Sequence, residues 1–333
     1  MMASHHELVP IIRSQLQKAY RVLVISHQRP DGDAIGSLLA LGMALVNAGK
    51  DVQMVLKEGI PDNFRFLEGS ELVVTMPRGK IDYIIAVDSA EIERIDTDIN
   101  GYKEPDLNID HHKTNTNFAK INLVESNAVA TAEILTRYLP EFGFFINAPI
   151  ANALLTGIVT DTIGFRTTNV SPPVFRMVAD LMELGGELAD IYYRTIVEQS
   201  LASARYWGAG LSKIEMEDGL VWTTLSLFER DSAGYLARDD ADLVKVISAI
   251  EGAKVAVILT EQSGGYVKIS WRLCGSLESD LDVSEIAQKF GGGGHKAAAG
   301  ADVKGKLNEV LISVLADTKL LLDHVKDLSE EKR

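Results

Sequence analysis

The sequence contains very little cysteine and no apolar run long enough to cross a membrane. Cys274 is its single cysteine, which excludes an internal disulfide framework. No stretch of about 20 consecutive apolar residues argues for a transmembrane helix. The first residues lack the basic flank, apolar stretch and small-residue cleavage site of a secretory signal. We therefore expect a cytoplasmic protein that does not act on a membrane.

Positive charge is also scarce. Lysine and arginine number 33 against 47 aspartates and glutamates, so the formal net charge at pH 7 is −14. Proteins that hold a long nucleic acid need a broad basic surface, which this composition does not favour, so duplex DNA is not an expected partner. The net charge does not exclude short nucleotides as ligands. Part of the acidic excess can lie in a metal site, whereas the simpler alternative is that net charge maintains solubility.

The first half of the 333 residues alternates strand and helix patterns. Apolar runs without polar alternation predict buried strands, which are typical of a mostly parallel sheet covered by helices. The predicted strands are "YRVLVISH", "DVQMVLK", "IDYIIAVDSA", "DLNIDHH" and "AKINLV". The predicted helices are "DAIGSLLALGMALVNAGK", "ATAEILTRYLPEFG" and "INAPIANALLTGIVTDT". The fold class is therefore α/β.

The length favours two domains, because single domains cluster near roughly 100–200 residues. We predict a first domain at 1–187, a helical connector at 188–205 and a second domain at 206–333. In the second domain, "KVAVILTEQSGGYVKISWRL" predicts a hairpin, so we expect a smaller α/β unit with an antiparallel sheet and flanking helices.

Four groups of metal-ligand side chains follow the predicted apolar elements. Ligands of open parallel sheets collect at the carboxyl ends of the strands, where three of these groups fall. The fourth group ends an apolar helix. The groups are His27, Asp31 and Asp33; Asp88; Asp110, His111 and His112; and Asp161. Aspartate mixed with imidazole suits Mn²⁺, Fe²⁺ or Co²⁺, and two cations about 3.5–4 Å apart can activate water for attack on phosphorus.

Each group also has a plain structural interpretation. Asp31 after Pro30 can form an ordinary turn, and Asp33 can cap a helix. Asp88 and Asp161 can close a turn and a helix, and "DHH" can be a solvated strand end. The combination favours a metal site, because converging carboxylates without cations repel one another and lose solvation.

The motifs resemble those of the DHH phosphoesterases. "HQRPDGDAIGS", "AVDSA", "IDHH" and "GIVTDTIGF" are similar to the four catalytic motifs of that family, in its order. "GGGGHKAAAGA" resembles the signature of the DHH-associated C-terminal domain, DHHA1. The resemblance implies a catalytic N-terminal domain, a substrate-binding C-terminal domain and an active site in the cleft between them.

The resemblance also implies the role of each residue. Two divalent metal ions are expected, most simply Mn²⁺ with Mg²⁺ or Co²⁺ as alternatives. Their ligands would be His27, Asp31 and Asp88 for one ion, and Asp33, Asp88, His111 and Asp161 for the other. His112 would contact the scissile phosphate and help to protonate the leaving oxygen, while Asp110 would orient the neighbouring imidazole.

A glycine loop and an arginine are the candidate substrate-binding groups in the second half. Consecutive glycines let N–H groups approach an anion, and a following helix start would add positive charge. A flexible linker is the alternative. The loop residues are Gly292, Gly293, Gly294 and His295. Arg272 matches a family arginine that contacts the phosphate or base of the substrate. The alternative is that Arg272 is a solvated residue at the end of a strand. Trp271, on the opposite face of the strand, is predicted to lie in the core.

Length and layout resemble the branch of the family that degrades nanoRNA and dephosphorylates 3′,5′-bisphosphoadenosine (pAp). The expected reactions are hydrolysis of short single-stranded RNA to nucleoside 5′-monophosphates and of pAp to AMP and phosphate. A phosphodiesterase for cyclic di-AMP or its linear product is the main alternative. A metal-dependent nucleotide-binding module without turnover is the alternative from another class, and the glycine loop disfavours a pyrophosphatase. The family also suggests a homodimer.

Overall fold

The computed structural model describes residues 5–95, 104–275 and 281–331, and its contacts divide the chain into two units. These units are Met1–Glu198 and Gln199–Arg333. The predicted connector, 188–205, contains the helix Leu188–Tyr192, the π-helical residues Tyr193–Val197 and the start of a further helix. Within the described ranges, no helix is both long and apolar enough to span a membrane.

The first unit contains a six-stranded sheet whose neighbouring strands all run parallel. Its strands are β1 (Arg21–Ile25), β2 (Asp51–Val55), β3 (Val73–Val74), β4 (Tyr83–Val87), β5 (Leu107–Asp110) and β6 (Ile121–Val124). Their order across the sheet is β3-β2-β1-β4-β5-β6. The five strands expected from apolar runs are therefore present and parallel, whereas the two-residue strand β3 was not expected.

The α-helices of this unit pack against one apolar face of the sheet, whereas the cluster on the opposite face contains no residue of these helices among the described residues. Val22 and Val24 of β1 belong to one buried cluster, while Leu23 and Ile25 belong to another on the opposite face. The helices are α1 (His5–Lys18), α2 (Gly32–Asn47), α3 (Thr131–Phe142), α4 (Ala148–Asp161), α5 (Pro172–Glu183) and α6 (Leu188–Tyr192). Burial on both faces explains why β1 is a continuous apolar run without polar alternation.

The strand order reverses between β1 and β4, and this reversal positions the candidate ligands. The chain passes from β1 to β2 on one side and later adds β4 on the other side of β1. In open α/β sheets, ligands bind outside the carboxyl ends of the strands at such a point. His27 follows β1, Asp88 follows β4 and Asp110 ends β5. Three of the four predicted groups therefore lie at one edge of the sheet.

The fourth group reaches this edge through the close packing of α2 against α4. Gly36 of α2 makes that packing possible, since a Cβ atom there would lie 2.3 Å from the Ala153 carbonyl oxygen. Gly157 of α4 has the same role, because its Cβ atom would lie 2.6 Å from Oδ1 of Asp33. The contact carries Asp161, the last residue of α4, toward the first turn of α2.

The second unit contains a six-stranded mixed sheet. Its strands are β7 (Glu215–Glu217), β8 (Leu220–Leu225), β9 (Val255–Gln262), β10 (Tyr266–Leu273), β11 (Gly293–His295) and β12 (Ala298–Lys304), in the order β11-β12-β10-β9-β8-β7. Strands β9 and β10 form the predicted hairpin. The expectation of an antiparallel sheet was wrong for β8 and β9, which pair in parallel. The long helical connection between them permits the crossover that parallel pairing requires.

Helices pack on both faces of the second sheet. They are α7 (Leu201–Leu211), α8 (Leu227–Ala233), α9 (Leu243–Ile247), α10 (Val283–Lys289) and α11 (Leu307–Glu331). Val267, Ile269 and Trp271 of β10 are buried in one cluster with residues of α10 and α11. Trp271 is 1% exposed, and its indole N–H donates to Oγ1 of Thr318 at 3.1 Å. The prediction that Trp271 is a core residue is confirmed.

Candidate active site

His27 follows β1 and presents one ring nitrogen to the sheet edge. Its Nδ1 lies 2.8 Å from the carbonyl oxygen of Gln28, so an Nδ1–H group can donate there. Nε2 then remains unprotonated and available to a metal ion. This nitrogen lies 3.5 Å from Oδ2 of Asp88, which follows β4. The backbone therefore orients His27 toward the carboxylate predicted to bridge two metal ions.

The helix cap, considered as an alternative role for Asp33, is formed by Asp31. Oδ1 of Asp31 accepts the N–H groups of Asp33 and Ala34 at 3.1 Å each, and Asp31 is the N-cap of α2. Asp33 lies within the first turn of α2 and is 1% exposed. Its oxygens accept the N–H groups of Thr131 at 2.6 Å and Ala132 at 2.9 Å. The start of α3 thus fixes the Asp33 carboxylate.

Asp88 occupies a strained backbone position at the centre of the site. Its φ angle of 52° lies in the left-handed region, which residues other than glycine rarely adopt. Strain of this kind concentrates at functional sites. The amide of Asp88 donates to the Ile109 carbonyl oxygen at 3.0 Å, and the Thr131 hydroxyl donates to its Oδ1 at 3.0 Å. These bonds hold the turn after β4 against β5 and α3.

His111 lies among three carboxylates. Its Nε2 is 3.6 Å from Oδ2 of Asp161, 3.7 Å from Oδ1 of Asp88 and 3.9 Å from Oδ2 of Asp33. Its Nδ1 lies 3.3 Å from the carbonyl oxygen of Ala128. His111 therefore joins residues that follow β4 and β5 to residues on α2 and α4.

His112 is held by a buried carboxylate. Its Nδ1–H donates to Oδ1 of Asp110 at 2.7 Å, and Asn115 donates to Oδ2 of the same aspartate at 2.5 Å. The bond to Asp110 raises the pKa of His112 to about 9 against the opposing effect of burial, and the charge of Asp88 adds to the rise. In the metal-free protein the raised pKa favours the protonated imidazole at neutral pH, which can donate a hydrogen bond or a proton.

Three overlapping sets of side chains can each hold a metal ion. In each set the candidate ligand atoms lie within 4.8 Å of one another. The sets are His27, Asp31 and Asp88; Asp33, His111 and Asp161; and Asp88, His111 and His112. The first two sets contain the residues predicted for the two ions, and Asp88 connects them through its 3.7 Å approach to His111.

The electrostatics of these carboxylates favour bound cations. Among the described residues, the ion pairs of Asp33, Asp88 and Asp161 are all with histidines. Burial, followed by the charges of Asp88 and Asp161, raises the pKa of Asp33 well above its ordinary value. Burial raises the pKa of Asp161 to about 6 despite the opposing charge of His111. Divalent cations would remove this penalty, and the mixed oxygen and nitrogen donors suit first-row transition metals.

The pKa of Asp88 shifts in the opposite direction. Burial alone would raise the pKa of this carboxyl, but in the metal-free protein a hydrogen bond from the doubly protonated His27 ring and the charges of His111 and His112 outweigh it. The pKa of Asp88 is therefore lowered, and its carboxylate is the one most readily ionised for metal binding.

Two residues of this site were missed by sequence reasoning. Thr131 donates to both Asp33 and Asp88, and Asn115 donates to Asp110. Neither belongs to a motif with metal ligands, and each acts through contacts that only the folded chain creates. A threonine at the start of a helix is common, so the position of Thr131 after β6 gave no indication that it supports the site.

The predicted substrate-binding residues form their own cluster in the second unit. The pairing of three adjacent strands places Arg272 opposite Ala298, and Ala298 opposite His295. Directly paired residues of antiparallel strands share a face, so Arg272 and His295 point to the same side of the sheet. Arg272 is not a freely solvated strand end, because its Nε atom is buried and makes no hydrogen bond within the described residues.

The glycine segment has a different structure from the expected loop. It forms the hairpin of β11 and β12, and no helix begins directly after it, so the predicted helix-start charge is absent there. A Cβ atom at Gly292 would lie 2.1 Å from the Gly300 carbonyl oxygen, and one at Gly294 would lie 2.5 Å from that of Ala298. These two glycines therefore permit tight strand packing, whereas a Cβ atom at Gly293 would meet no atom within 4 Å.

Comparison with known proteins matches both units to family models. The DHH family, N-terminal domain, matches residues 21–158, and the DHHA1 domain matches residues 233–319. A Thermus thermophilus relative named bifunctional oligoribonuclease and PAP phosphatase NrnA is 36% identical over 289 residues, covering 85% of this chain and 84% of the relative. A probable manganese-dependent inorganic pyrophosphatase of Bacillus cereus is 26% identical, covering 74% and 85%.

Among solved structures, an exopolyphosphatase-related protein from Bacteroides fragilis has the same fold as this chain. The two superpose with a TM-score of 0.87 at 25% identity, and the match covers 97% of each chain.

Proposed function

The chain belongs to the DHH family and is a hydrolase of phosphate esters, and from this premise we propose that its substrates are short single-stranded RNA and pAp. The products would be nucleoside 5′-monophosphates from RNA, and AMP with phosphate from pAp. The observation that carries the proposal is the position of Asp88. It belongs to one metal-ligand set with His27 and Asp31, and it lies 3.7 Å from His111 of the set with Asp33 and Asp161.

A divalent metal is the cofactor of this site, and we propose two Mn²⁺ ions. His27, Asp31 and Asp88 would hold one ion, and Asp33, Asp88, His111 and Asp161 would hold the other. When bound, such ions supply an activated water and neutralise phosphate charge. The name of the Bacillus cereus relative, manganese-dependent pyrophosphatase, supports manganese over magnesium or cobalt.

The protein's own groups account for the remaining chemistry. His112 carries a proton at neutral pH and can transfer it to the leaving oxygen of the phosphate ester. Asp110 fixes the ring through the 2.7 Å bond, and Asn115 fixes Asp110 in turn.

We propose that the second unit contributes groups that bind a nucleotide phosphate. The Nε of Arg272 is buried and makes no hydrogen bond within the described residues, and the imidazole of His295 lies on the same face of the sheet. These two groups are suited to binding a phosphate that is not cleaved. With a net charge of −14, the protein is better suited to short substrates than to long nucleic acids or duplex DNA. The name of the Thermus thermophilus relative supports both substrate types.

We further propose a cytoplasmic homodimer. The single cysteine supports a reducing compartment. Burial raises the pKa of Cys274 to about 11, so its thiol is not an activated nucleophile and has no place in the reaction. Light scattering of the eluted protein tests the dimer, which a single mass near 36.3 kDa would exclude.

The test of the proposed function is a substrate panel with the Mn²⁺-loaded protein. The panel contains pAp, an RNA of two to five nucleotides, cyclic di-AMP and pyrophosphate, and products are separated by chromatography. We expect turnover of the RNA and pAp, and loss of turnover in Asp88→Ala with the fold retained. Asp180→Asn, on an exposed face of α5, is the matched control and should match the wild type.

Each other result points to a named alternative. Preference for cyclic di-AMP would assign the protein to second-messenger degradation, and preference for pyrophosphate would make it a pyrophosphatase. Nucleotide binding without any cleavage would replace the enzyme with a binding module. An Asp88→Ala variant with wild-type turnover would refute the metal site itself.

A further inference from the structure

A short helical turn after β4 packs against the first sheet beside the candidate metal site. Residues Ile92–Arg94 form a 3₁₀ helix. Ile95, the residue that ends the turn, is 7% exposed and belongs to the apolar cluster of Leu23 and Ile25, against which Ile92 also packs. These contacts hold the turn in place against β1.

The main chain of this turn is bonded to the loop that presents His27. The carbonyl oxygen of Arg94 accepts the N–H group of Gln28 at 2.7 Å. The carbonyl oxygen of Gln28 in turn lies 2.8 Å from Nδ1 of His27. Gln28 therefore connects Arg94 to a predicted metal ligand, and the main chain of Arg94 lies near the edge of the sheet where the four ligand groups converge.

The side chain of Arg94 lies at the rim of the site, close to the imidazole of His112. It is exposed, and within the described ranges it makes no hydrogen bond or ion pair. Its positive charge opposes the rise in the pKa of His112 that the bond to Asp110 causes. Because interactions between exposed charges are largely screened beyond about 10 Å, the guanidinium lies within that distance of the imidazole. An unpaired guanidinium at this rim suits the oxygens of a phosphate.

We propose that Arg94 binds the phosphate at the metal site and favours phosphate monoesters over phosphodiesters. Its guanidinium donates to the oxygen that is free in a monoester and carries the second ester carbon in a diester. The inference rests on the proposed function and deepens it, because it names a residue that selects between the two substrate types. Every group involved belongs to the first unit.

The preference follows from the charges of the two phosphate types. A monoester carries a charge of about −1.5 to −2 at pH 7, whereas a diester carries a single negative charge. A guanidinium stays protonated at neutral pH and presents a fork of N–H donors that matches two phosphate oxygens. Arg94 therefore stabilises bound pAp more than a bound dinucleotide.

The test compares pAp with the dinucleotide pApA for the same Mn²⁺-loaded protein. The measured quantity is the ratio of kcat/KM for pAp to kcat/KM for pApA. Arg94→Ala should lower this ratio about tenfold, which corresponds to the loss of one hydrogen bond to a charged group. Arg94→Lys keeps the charge without the fork and should give a ratio between those of Arg94→Ala and the wild type.

Three controls separate a substrate contact from other effects of the substitution. Arg176→Ala removes an exposed guanidinium from α5 and should leave the ratio unchanged. Calorimetric titration should show no loss of Mn²⁺ affinity in Arg94→Ala, because the variant retains the carbonyl oxygen to which Gln28 donates. Inorganic phosphate titrated into the Mn²⁺-loaded protein should bind about tenfold more weakly to Arg94→Ala than to the wild type.

The outcomes distinguish this inference from the function on which it rests. A wild-type protein that cleaves neither substrate refutes the proposed function. If the wild type cleaves both substrates and Arg94→Ala leaves the ratio or the phosphate affinity unchanged, the inference alone is wrong. An Arg94→Lys variant no better than Arg94→Ala would contradict the argument from charge. A loss of Mn²⁺ affinity in Arg94→Ala would also overturn the inference, because Arg94 would then support His27 rather than the substrate.

Discussion

Replacing Asp161 with asparagine should stabilise the metal-free protein while destroying its metal site. The carboxyl of Asp161 is 32% exposed, and burial raises its pKa to about 6. The ionised form is therefore unfavourable in the folded protein without metal. Asparagine has nearly the same shape and carries no charge, so Asp161→Asn removes this penalty and retains the helix end.

The magnitude follows from the pKa of Asp161. The difference between an ordinary aspartate and a pKa of about 6 corresponds to about 3 kcal/mol of unfolding free energy. Solvent screens a side chain that is one-third exposed, so we expect a gain of about 1–2 kcal/mol at pH 8. For a unit of this size the gain raises Tm by about 2–8 °C.

The sign depends on pH. A carboxyl whose folded-state pKa is raised stabilises the fold below its unfolded pKa, and this contribution is lost as pH rises through the folded pKa. The wild type therefore loses stability relative to Asp161→Asn between about pH 4 and about pH 6. At pH 4 the two proteins should unfold at nearly the same temperature, and above pH 6 the difference should be complete.

Scanning calorimetry with EDTA and with Mn²⁺ is the assay. Saturation at 100 times the dissociation constant should stabilise the wild type by about 2.7 kcal/mol, and Asp161→Asn by much less. The order of stability should therefore reverse when Mn²⁺ is added. Asp180→Asn is the control and should show neither effect. If Asp161→Asn in EDTA is no more stable than the wild type at pH 8, the reasoning about buried charge is refuted.

Two further substitutions test the supports of the site. Asn115→Ala should lower turnover about tenfold with little change in Mn²⁺ affinity, because it releases Asp110 and so misorients His112. Kinetics measures turnover, and calorimetric titration measures Mn²⁺ affinity. Equal losses in turnover and affinity would contradict this role. Gly157→Ala should destabilise the fold by about 1–3 kcal/mol and weaken Mn²⁺ binding, since the added Cβ would lie 2.6 Å from Oδ1 of Asp33. Denaturant unfolding measures the stability, and calorimetric titration measures Mn²⁺ binding. No change in either quantity would mean that α4 shifts freely.

The parallel sheet could be predicted because its strands are buried on both faces. Burial of this kind leaves long apolar runs such as "RVLVI" and "YIIAV", which stand out from amphipathic helices. Strands β11 and β12 gave no such signal, since glycine and alanine have low strand propensity. Their pairing depends on β10 as a template, so the segment was predicted to be a loop.

The clustering of the candidate ligands could be predicted because metal chemistry restricts residue types strongly. Aspartate and histidine at successive strand ends have few common structural explanations, and all six predicted ligands belong to the sets of the folded protein. The supports could not be predicted in the same way. Thr131 contributes an amide and a hydroxyl, which any threonine at a helix start possesses, and only the tertiary fold brings it to Asp33. The parallel pairing of β8 with β9 likewise depends on how the intervening helices pack.

The hydrogen bond between Asp33 and Thr131 links positions 98 residues apart, and this has a consequence for how the protein acquires its metal. The candidate metal-ligand side chains come from four segments spread over most of the first unit. Contacts between residues far apart in the sequence must therefore form before these side chains converge. A nascent chain that ends before α3 lacks the amides that fix Asp33, and one that ends before α4 lacks Asp161. Metal binding at the proposed site would therefore be a late event in biogenesis.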